Sequence, residues 1–407
     1  MTTMTEPAAT QTRRRILRPF DGIVCFGGVD WWYHNRGHYD LQLMRELSAH
    51  VPVLYVNSIG MRVPTPGEGR MFVRRVVRKL RSVFRGATTV APGFTVLSPL
   101  APPAMRSGSA GRLVAAQVRR AARRLGITRP LVWVACPPAR HVVDALEPAG
   151  VVFQRTDRFE AFHGVDPVSI ASDVTWLRRR ADVVLYCSRE LMTDDGHADQ
   201  NGVFVDHGVD LRRFAAAGDR VEALPELANV PHPRAGFIGG IDAHTFDPEL
   251  FAQVVGLLPD VQFVLVGGRS IPEERLAAPN VHLMGRKPFD EVHRWMAACD
   301  VLLMPWNRSE WIKACNPVKL KEYLAVGRPI VSTPFPELAA YGSLVRVAQD
   351  ATGFARQVRD ACFEPHDPRP GRAFVAGHGW DVRARQVVDA LDACGLMAAS
   401  HGGRRNP

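Results

Sequence analysis

Short apolar runs alternate with segments of helical period along almost the whole chain. The run Ile23-Val24-Cys25-Phe26 ends in Gly27-Gly28, and Leu41, Leu43, Met44 and Leu47 then recur as on a helix face. The same order returns at 235–241, where Ala235-Gly-Phe-Ile238 runs into Gly239-Gly240 before a helical pattern at 248–258. Further buried strands are read at 51–56, 92–97, 131–135, 151–155, 181–188, 202–206, 261–268, 280–286, 300–305, 330–331 and 344–347. Helical periods fall between them, at 105–125, 140–146, 170–180, 189–192, 289–299, 354–363 and 381–396. Strands that alternate with helices and read as continuous apolar runs predict parallel sheets covered on both faces.

The length of 407 residues suits two such domains. The predicted division is a disordered tail at 1–19, an N-terminal Rossmann-like domain at 20–215 and a linker at 216–234. A second Rossmann-like domain follows at 235–379, then a helix at 380–396 that returns to the first domain, and a second tail at 397–407. The linker is placed where Pro225, Pro231 and Pro233 interrupt any period. In open α/β sheets, ligands gather beyond the carboxyl ends of the strands. Asp157 occupies such a place after the strand 151–155, where N-capping of the next segment is the competing role. Gly239 and Gly240 let backbone amides approach a phosphate. The cluster Trp31-Trp32-Tyr33 reads either as a sugar-stacking surface or as buried loop aromatics.

The densest local signal lies at 316–337. Asn316 reads as a helix N-cap with Pro317 at the first helical position. Val318, Leu320, Tyr323 and Leu324 face a core, and Gly327 ends the helix as a left-handed cap. Lys319 and Glu322 stand three apart on the first turns, so they share a face beside free N–H groups and the positive helix end. A cation for phosphate and a carboxylate for ribose hydroxyls belong there.

This stretch resembles the nucleotide-sugar site of GT-B fold glycosyltransferases of family 4, whose segment P-x-K-x-x-E-Y-L-A-x-G-x-P-V-V carries a glutamate that hydrogen-bonds the ribose. Glu322 matches it. A second glutamate of that family falls eight residues earlier, where this chain has Ala314. The segment Phe26-Gly-Gly-Val-Asp-Trp31 is similar to the start of the teichuronic-acid-type bacterial branch. His207-Gly-Val-Asp-Leu-Arg-Arg-Phe214 resembles the N-G-V-D-x-x-x-F run that closes the first domain, with His in place of Asn. The resemblance implies two facing Rossmann-like domains, with the base held near Met284, Gly285 and Arg286. It implies the diphosphate at Gly239, Gly240, Arg286 and Lys319, with Lys287 and Lys313 as further cationic candidates, and the ribose on Glu322. It places Asn316, Pro317 and Val318 against the donor and Gly27, Gly28 and Asp30 at the cleft, with Asp157 and Lys319 as catalytic candidates.

Composition narrows the partners. A net charge of +10 favours anionic ligands. Residues 70–85 hold seven basic residues and no acid, with Val73, Val76, Val77, Leu80, Val83 and Phe84 at helical spacing. That pattern suits either an anionic membrane surface or core packing with a solvated basic face. The 7 cysteines form no C-x-x-C pair, which argues against a zinc site or disulfide framework and for a reducing compartment. Residues 1–17 lack the apolar core of a secretory signal. No G-x-G-x-x-G follows a strand, which argues against a dinucleotide oxidoreductase, and no nucleic-acid motif accompanies the charge.

The expectation is a cytoplasmic transferase, peripheral at the inner membrane face, that moves a sugar from a nucleotide-diphosphate donor to a saccharide or lipid-linked hydroxyl. By resemblance the transfer retains configuration. Helix amides and Lys/Arg replace a metal, and no cofactor is expected. A nucleotide-sugar epimerase and a non-catalytic nucleotide-sugar binder are the alternatives, the second because of Ala314.

Overall fold

The structure is a computed structural model that describes residues 19–34, 36–61, 70–101, 108–196 and 201–397, with the backbone path alone at 70–75. The expected tails at 1–18 and 398–407 and the start of the helix expected from 105 lie outside the described residues.

In the first half the order is β1 (Gly22–Phe26), α1 (Tyr39–Leu47), β2 (Val53–Val56), α2 (Arg70–Phe84), β3 (Ala87–Ala91), β4 (Phe94–Leu97) and α3 (Gly108–Arg124). It continues with β5 (Pro130–Val134), α4 (Arg140–Val143), β6 (Gly150–Arg155), α5 (Pro167–Arg180), β7 (Val183–Tyr186), α6 (Arg189–Asp194) and β8 (Gly202–Phe204). After α7 (Leu211–Asp219) the second half holds β9 (Arg234–Ile238), α8 (Pro248–Leu257), β10 (Gln262–Val266), β11 (Val281–Gly285), α9 (Val292–Ala297), β12 (Val301–Met304) and α10 (Glu310–Lys313). It ends with α11 (Val318–Val326), β13 (Ile330–Ser332), β14 (Arg346–Val347), α12 (Ala351–Phe363), α13 (Arg369–Val375) and α14 (Trp380–Ala393).

Two sheets result, ordered β3-β4-β2-β1-β5-β6-β7-β8 and β11-β10-β9-β12-β13-β14. Every pairing is parallel except β3 with β4. Strand order reverses at β1 in the first sheet and at β9 in the second. Gly27-Gly28 and Gly239-Gly240 follow those two strands, so both glycine pairs lie at the crevices where doubly wound sheets bind ligands.

The first sheet is buried on both faces, by separate apolar clusters. One of them includes Trp380, Val387, Leu391 and Leu396, so α14 crosses back onto the first domain. Burying each such side chain contributes about 1.5–3 kcal/mol. Four of them approach the net stability of an ordinary domain, about 5–15 kcal/mol, so the halves are joined energetically as well as covalently.

Three local expectations need correction. The linker does not begin at 216, because α7 runs on through Asp219. Its last turns are Ala215-Ala216-Ala217-Gly218, too small to show a period, and they serve close packing: a Cβ on Gly218 would lie 1.9 Å from the Val326 carbonyl oxygen of α11. The helix α13 also lies unread in the sequence, because Pro370 and Gly371 argue against helix there. Third, α11 starts one residue later than expected. Pro317 is its N-cap, no side chain caps it, and Asn316 faces elsewhere. At the other end Gly327 takes the left-handed conformation, φ 81°, as its position implies.

Candidate functional site

The second-domain half of the site is built where strand ends meet the start of α11. A Cβ on Gly267, after β10, would lie 1.7 Å from the Gly239 carbonyl oxygen, so two strand ends touch backbone to backbone. A Cβ on Gly239 would lie 2.3 Å from Lys319 Nζ. Glycine is thus needed for the lysine to lay its ammonium on this loop. The ammonium is also 4.5 Å from the Phe237 ring centre and 5.5 Å from that of Trp306. Burial pushes the Lys319 pKa down to about 8, against the pull of Cys315, Glu322 and Asp242.

Glu322 follows on the same face of α11 and is 7% exposed. Burial raises its pKa to about 7, while Lys319 and then Arg213 of α7 act in the other direction. Among the described residues no donor hydrogen-bonds its carboxylate. A nearly buried, ionisable acid without a protein donor is costly, and such groups concentrate at functional sites. Arg286 is exposed beside the Gly267-Gly268 turn, where a Cβ on Gly268 would lie 2.8 Å from its Nη2. Gly285, with φ 66°, turns the chain there, and its carbonyl accepts the Gly267 N–H at 2.9 Å. The structure separates the four cationic candidates. Lys287 is held by Glu226 at 3.1 Å and by the Trp295 ring, and Lys313 pairs with Glu310 at 2.5 Å. Lys319 and Arg286 are left facing the glycine turns.

The side chains of Asn316 and Val318 reach the first domain. Asn316 Nδ2 donates to the Cys187 carbonyl oxygen at 2.6 Å and to Asp206 Oδ1 at 2.8 Å, both in the first domain. Pro317 is buried, and Val318 packs against the apolar cluster that holds β1 and α14. Ala314, where the resemblance has a carboxylate, is fully buried and packs with the first domain's core.

In the first-domain half, Tyr55 fills the space over Gly27, since a Cβ there would lie 1.9 Å from its hydroxyl. Asp40 Oδ2 accepts the Gly28 N–H and the Tyr55 hydroxyl, each at 2.8 Å. Asp30 ties its own loop, accepting the Trp32 N–H at 2.9 Å and the Ser82 hydroxyl of α2 at 3.3 Å. The aromatic cluster divides: Trp31 is buried against Phe94, while Arg85 lies 4.3 Å over Trp32 and Arg78 5.3 Å over Tyr33.

Asp157 lies past β6, and its loop is held by Arg155. That fully buried guanidinium reaches the Asp157 carbonyl at 2.9 Å, Glu160 at 2.8 Å and Asp195 at 3.0 Å. The Trp311 indole N–H of α10 donates to Asp157 Oδ1 at 3.1 Å, across the cleft. Burial raises the Asp157 pKa, opposed by hydrogen bonds from Trp311 and Thr156 and by the charges of His38 and Arg155. Phe162 packs 5.0 Å from Trp311, His244 stacks on Trp311 at 5.5 Å, and His163 stacks on His244 at 5.9 Å. One aromatic wall therefore spans both domains. Trp311, Phe162 and Arg213 escaped individual notice in the sequence. The loop 306–315 marks Trp311 in outline, but only the fold brings these residues together.

Two doubly wound domains facing a cleft, a returning last helix and a recess at the second switch point define a GT-B fold. Residues 232–362, about a third of the chain, match the family model described as glycosyl transferases group 1. The chain is 31% identical over 179 residues to TuaH of Bacillus subtilis (strain 168), a protein named as a teichuronic acid biosynthesis glycosyltransferase. The matched part is 42% of this chain and 41% of that one, so the match spans less than half of the relative's length. Among solved structures, a sucrose-phosphate synthase from Thermosynechococcus elongatus superposes with TM-score 0.67 at 15% identity, covering 92% of this chain and 98% of that one. The Anabaena HepE protein, solved with UDP and glucose, superposes with TM-score 0.64 at 13% identity, covering 92% and 100%. These two are likenesses of fold.

Proposed function

We propose that this chain is a glycosyltransferase that moves a sugar from a nucleotide-diphosphate sugar to a hydroxyl of a saccharide or lipid-linked acceptor, in the synthesis of a cell-envelope or extracellular glycan. The observation that carries the reading is Lys319 and Glu322 on one face of α11, with the ammonium against Gly239 and the carboxylate unclaimed by any protein donor among the described residues. The family match over 232–362 covers this helix, and HepE was solved with UDP.

In this reaction the bond from the anomeric carbon to the diphosphate oxygen breaks and a bond to the acceptor oxygen forms, with retention of configuration. Charge grows on the departing diphosphate. Lys319, Arg286 and the free amides at the start of α11 stabilise it there, which is the task a metal performs elsewhere, so no cofactor is required. Glu322 accepts hydrogen bonds from the ribose. Asp157, whose carboxyl is raised by burial, takes the acceptor proton from its place at the Trp311 contact. The aromatic wall of His163, His244 and Trp311 borders the sugar with its ring edges. The test is transfer from UDP-sugars to lipid-linked saccharides in the presence of EDTA, with donor-alone controls. Product with retained anomeric configuration supports the reading. Donor conversion without acceptor favours an epimerase, and nucleotide binding without turnover favours a non-catalytic binder.

An anionic membrane face is the proposed setting. No helix among the described residues is long and apolar enough to cross a membrane. Yet α2 exposes Val76, Val77, Leu80 and Phe84, the last 87% exposed, beside the exposed bases Arg78, Arg81 and Arg85. Each basic residue at an anionic surface contributes about 1 kcal/mol. Ser82 is buried and donates to Asp30, and Arg78 and Arg85 lie over Tyr33 and Trp32, so α2 also holds the loop after β1. A lipid-linked acceptor would therefore arrive beside the cleft.

A further inference from the structure

Asp206, just past β8, is the point where three parts of the chain converge. Its Oδ1 accepts the N–H of His207 at 2.7 Å, Asn316 Nδ2 at 2.8 Å and Lys321 Nζ at 2.9 Å. Its Oδ2 faces His378 Nε2 at 3.8 Å and Arg383 Nη2 at 3.9 Å, on the segment returning to the first domain. Lys321 is 1% exposed and also donates to the Tyr341 hydroxyl at 2.9 Å. Burial opposes ionisation of Asp206, but Lys321 together with His207 and Arg383 holds the carboxyl below its usual range, so the Asp206–Lys321 pair is ionic near neutral pH.

Helix geometry gives this contact its consequence. At about 100° per residue, Lys321 points away from the face shared by Lys319 and Glu322. Asn316 lies just before the helix, Lys321 one turn inside it, and both reach the same first-domain oxygen. The start of α11 is thus clamped from behind by the opposite domain while its front faces the glycine loop. A second tether lies close by. Glu337 of the second domain accepts the Arg189 N–H at 2.5 Å, at the start of α6.

We infer that Asp206 is a positioning residue: through Lys321 and Asn316 it sets where the Lys319–Glu322 face of α11 stands relative to the acceptor domain. The inference rests on the reading of that face given above. A single oxygen with three short donors tolerates little sliding, and a displacement of about 1 Å at a reacting centre costs roughly 10²-fold in rate. Nucleotide binding uses the second domain alone and is independent of the clamp. Transfer needs both domains in register.

The experiment compares Asp206→Asn, Lys321→Met and Asn316→Ala with the parent full chain in three measurements: UDP titration, steady-state transfer, and radius of gyration by solution X-ray scattering. Asn316→Ala removes one donor without stranding a buried charge, so it remains informative if Asp206→Asn does not fold. Expected are UDP affinities within about twofold of the parent, transfer kcat lower by tenfold or more with donor KM little changed, and a larger radius of gyration. Asp206→Glu restores part of the rate, and the Asp206→Asn/Lys321→Met double variant is no slower than the worse single one. Folded variants with parental kcat and parental radius overturn the inference, as does loss of UDP affinity in step with kcat. If the parent binds no UDP, the reading of the α11 face fails, and the scattering comparison still decides whether Asp206 holds the domains.

Discussion

The indole N–H of Trp311 donates to Asp157 across the cleft at 3.1 Å, joining a first-domain carboxylate to a second-domain ring. A donor of this kind favours the ionised acid, so the bond works against the rise that burial imposes on Asp157. Replacing Trp311 by Phe keeps the ring against Phe162 and His244 and removes only the N–H. The acidic limb of the kcat pH profile should then move to higher pH, with UDP affinity unchanged. An unshifted acidic limb in an active variant would detach Asp157 from proton transfer.

Lys319 and Glu322 give the donor step its own pH dependence. Glu322 titrates near 7 and Lys319 near 8, and the two interact. Below about pH 7 Glu322 is protonated and loses its charge-assisted bonds to ribose. Above about pH 8 Lys319 is neutral and no longer draws the diphosphate. The expected kcat/KM for donor is a narrow bell centred between those values, because this parameter reports the free enzyme. In Lys319→Arg the alkaline limb should disappear toward higher pH. A flat profile from pH 6 to 9 in the parent would contradict the assignment.

The same burial has a stability signature. The folded Glu322 pKa of about 7 lies above the ordinary 4.5, so the folded state holds a proton that the unfolded state releases between those values. Stability from this group is therefore full below about pH 4.5 and declines as pH rises to about 7. Glu322→Gln should remove that decline and raise the melting midpoint at pH 7.5 by about 1–3 °C while weakening UDP binding. Differential scanning calorimetry of both proteins at pH 5 and pH 7.5 measures it. A lower midpoint for the variant at pH 7.5 would show that the carboxylate has a stabilising partner.

Much of the fold was legible in the chain, for reasons visible in particular elements. The strands β5 and β12 are continuous apolar runs, Leu131–Val134 and Val301–Met304, which only a sheet covered on both faces explains. The glycine pairs after β1 and β9 announced the two switch points. The strand β3 stayed hidden because Ala87–Ala91 is a half-exposed edge paired antiparallel to β4. The site was legible only where it is local. Lys319 and Glu322 share a face by helix geometry alone, so their juxtaposition could be read directly. Asn316 looked like a cap because its type and position suit one, but Cys187 and Asp206 offered better acceptors from the other domain. The pairing of Lys321 with Asp206 depends on how two sheets dock, which no local pattern records.

The exposed face of α2 carries a separate expectation. Leu80→Ser with Phe84→Ser removes apolar surface that is already in water, so the melting midpoint should stay within about 1 °C. Cosedimentation with vesicles of anionic phospholipid should fall by fivefold or more, and raised salt should weaken what remains. Parental binding by the double variant would exclude α2 as the contact, and absence of binding by the parent would exclude the membrane setting.

Isothermal titration of UDP into the parent chain, Glu322→Ala and Lys319→Ala tests the centre of the account. The parent should bind one UDP. Glu322→Ala should bind about 10–100-fold more weakly, because a buried acceptor for ribose hydroxyls is lost, and Lys319→Ala should show a comparable loss. Parental affinity in both folded variants would mean that the nucleotide lies elsewhere, and the reading of α11 as the donor site would be contradicted.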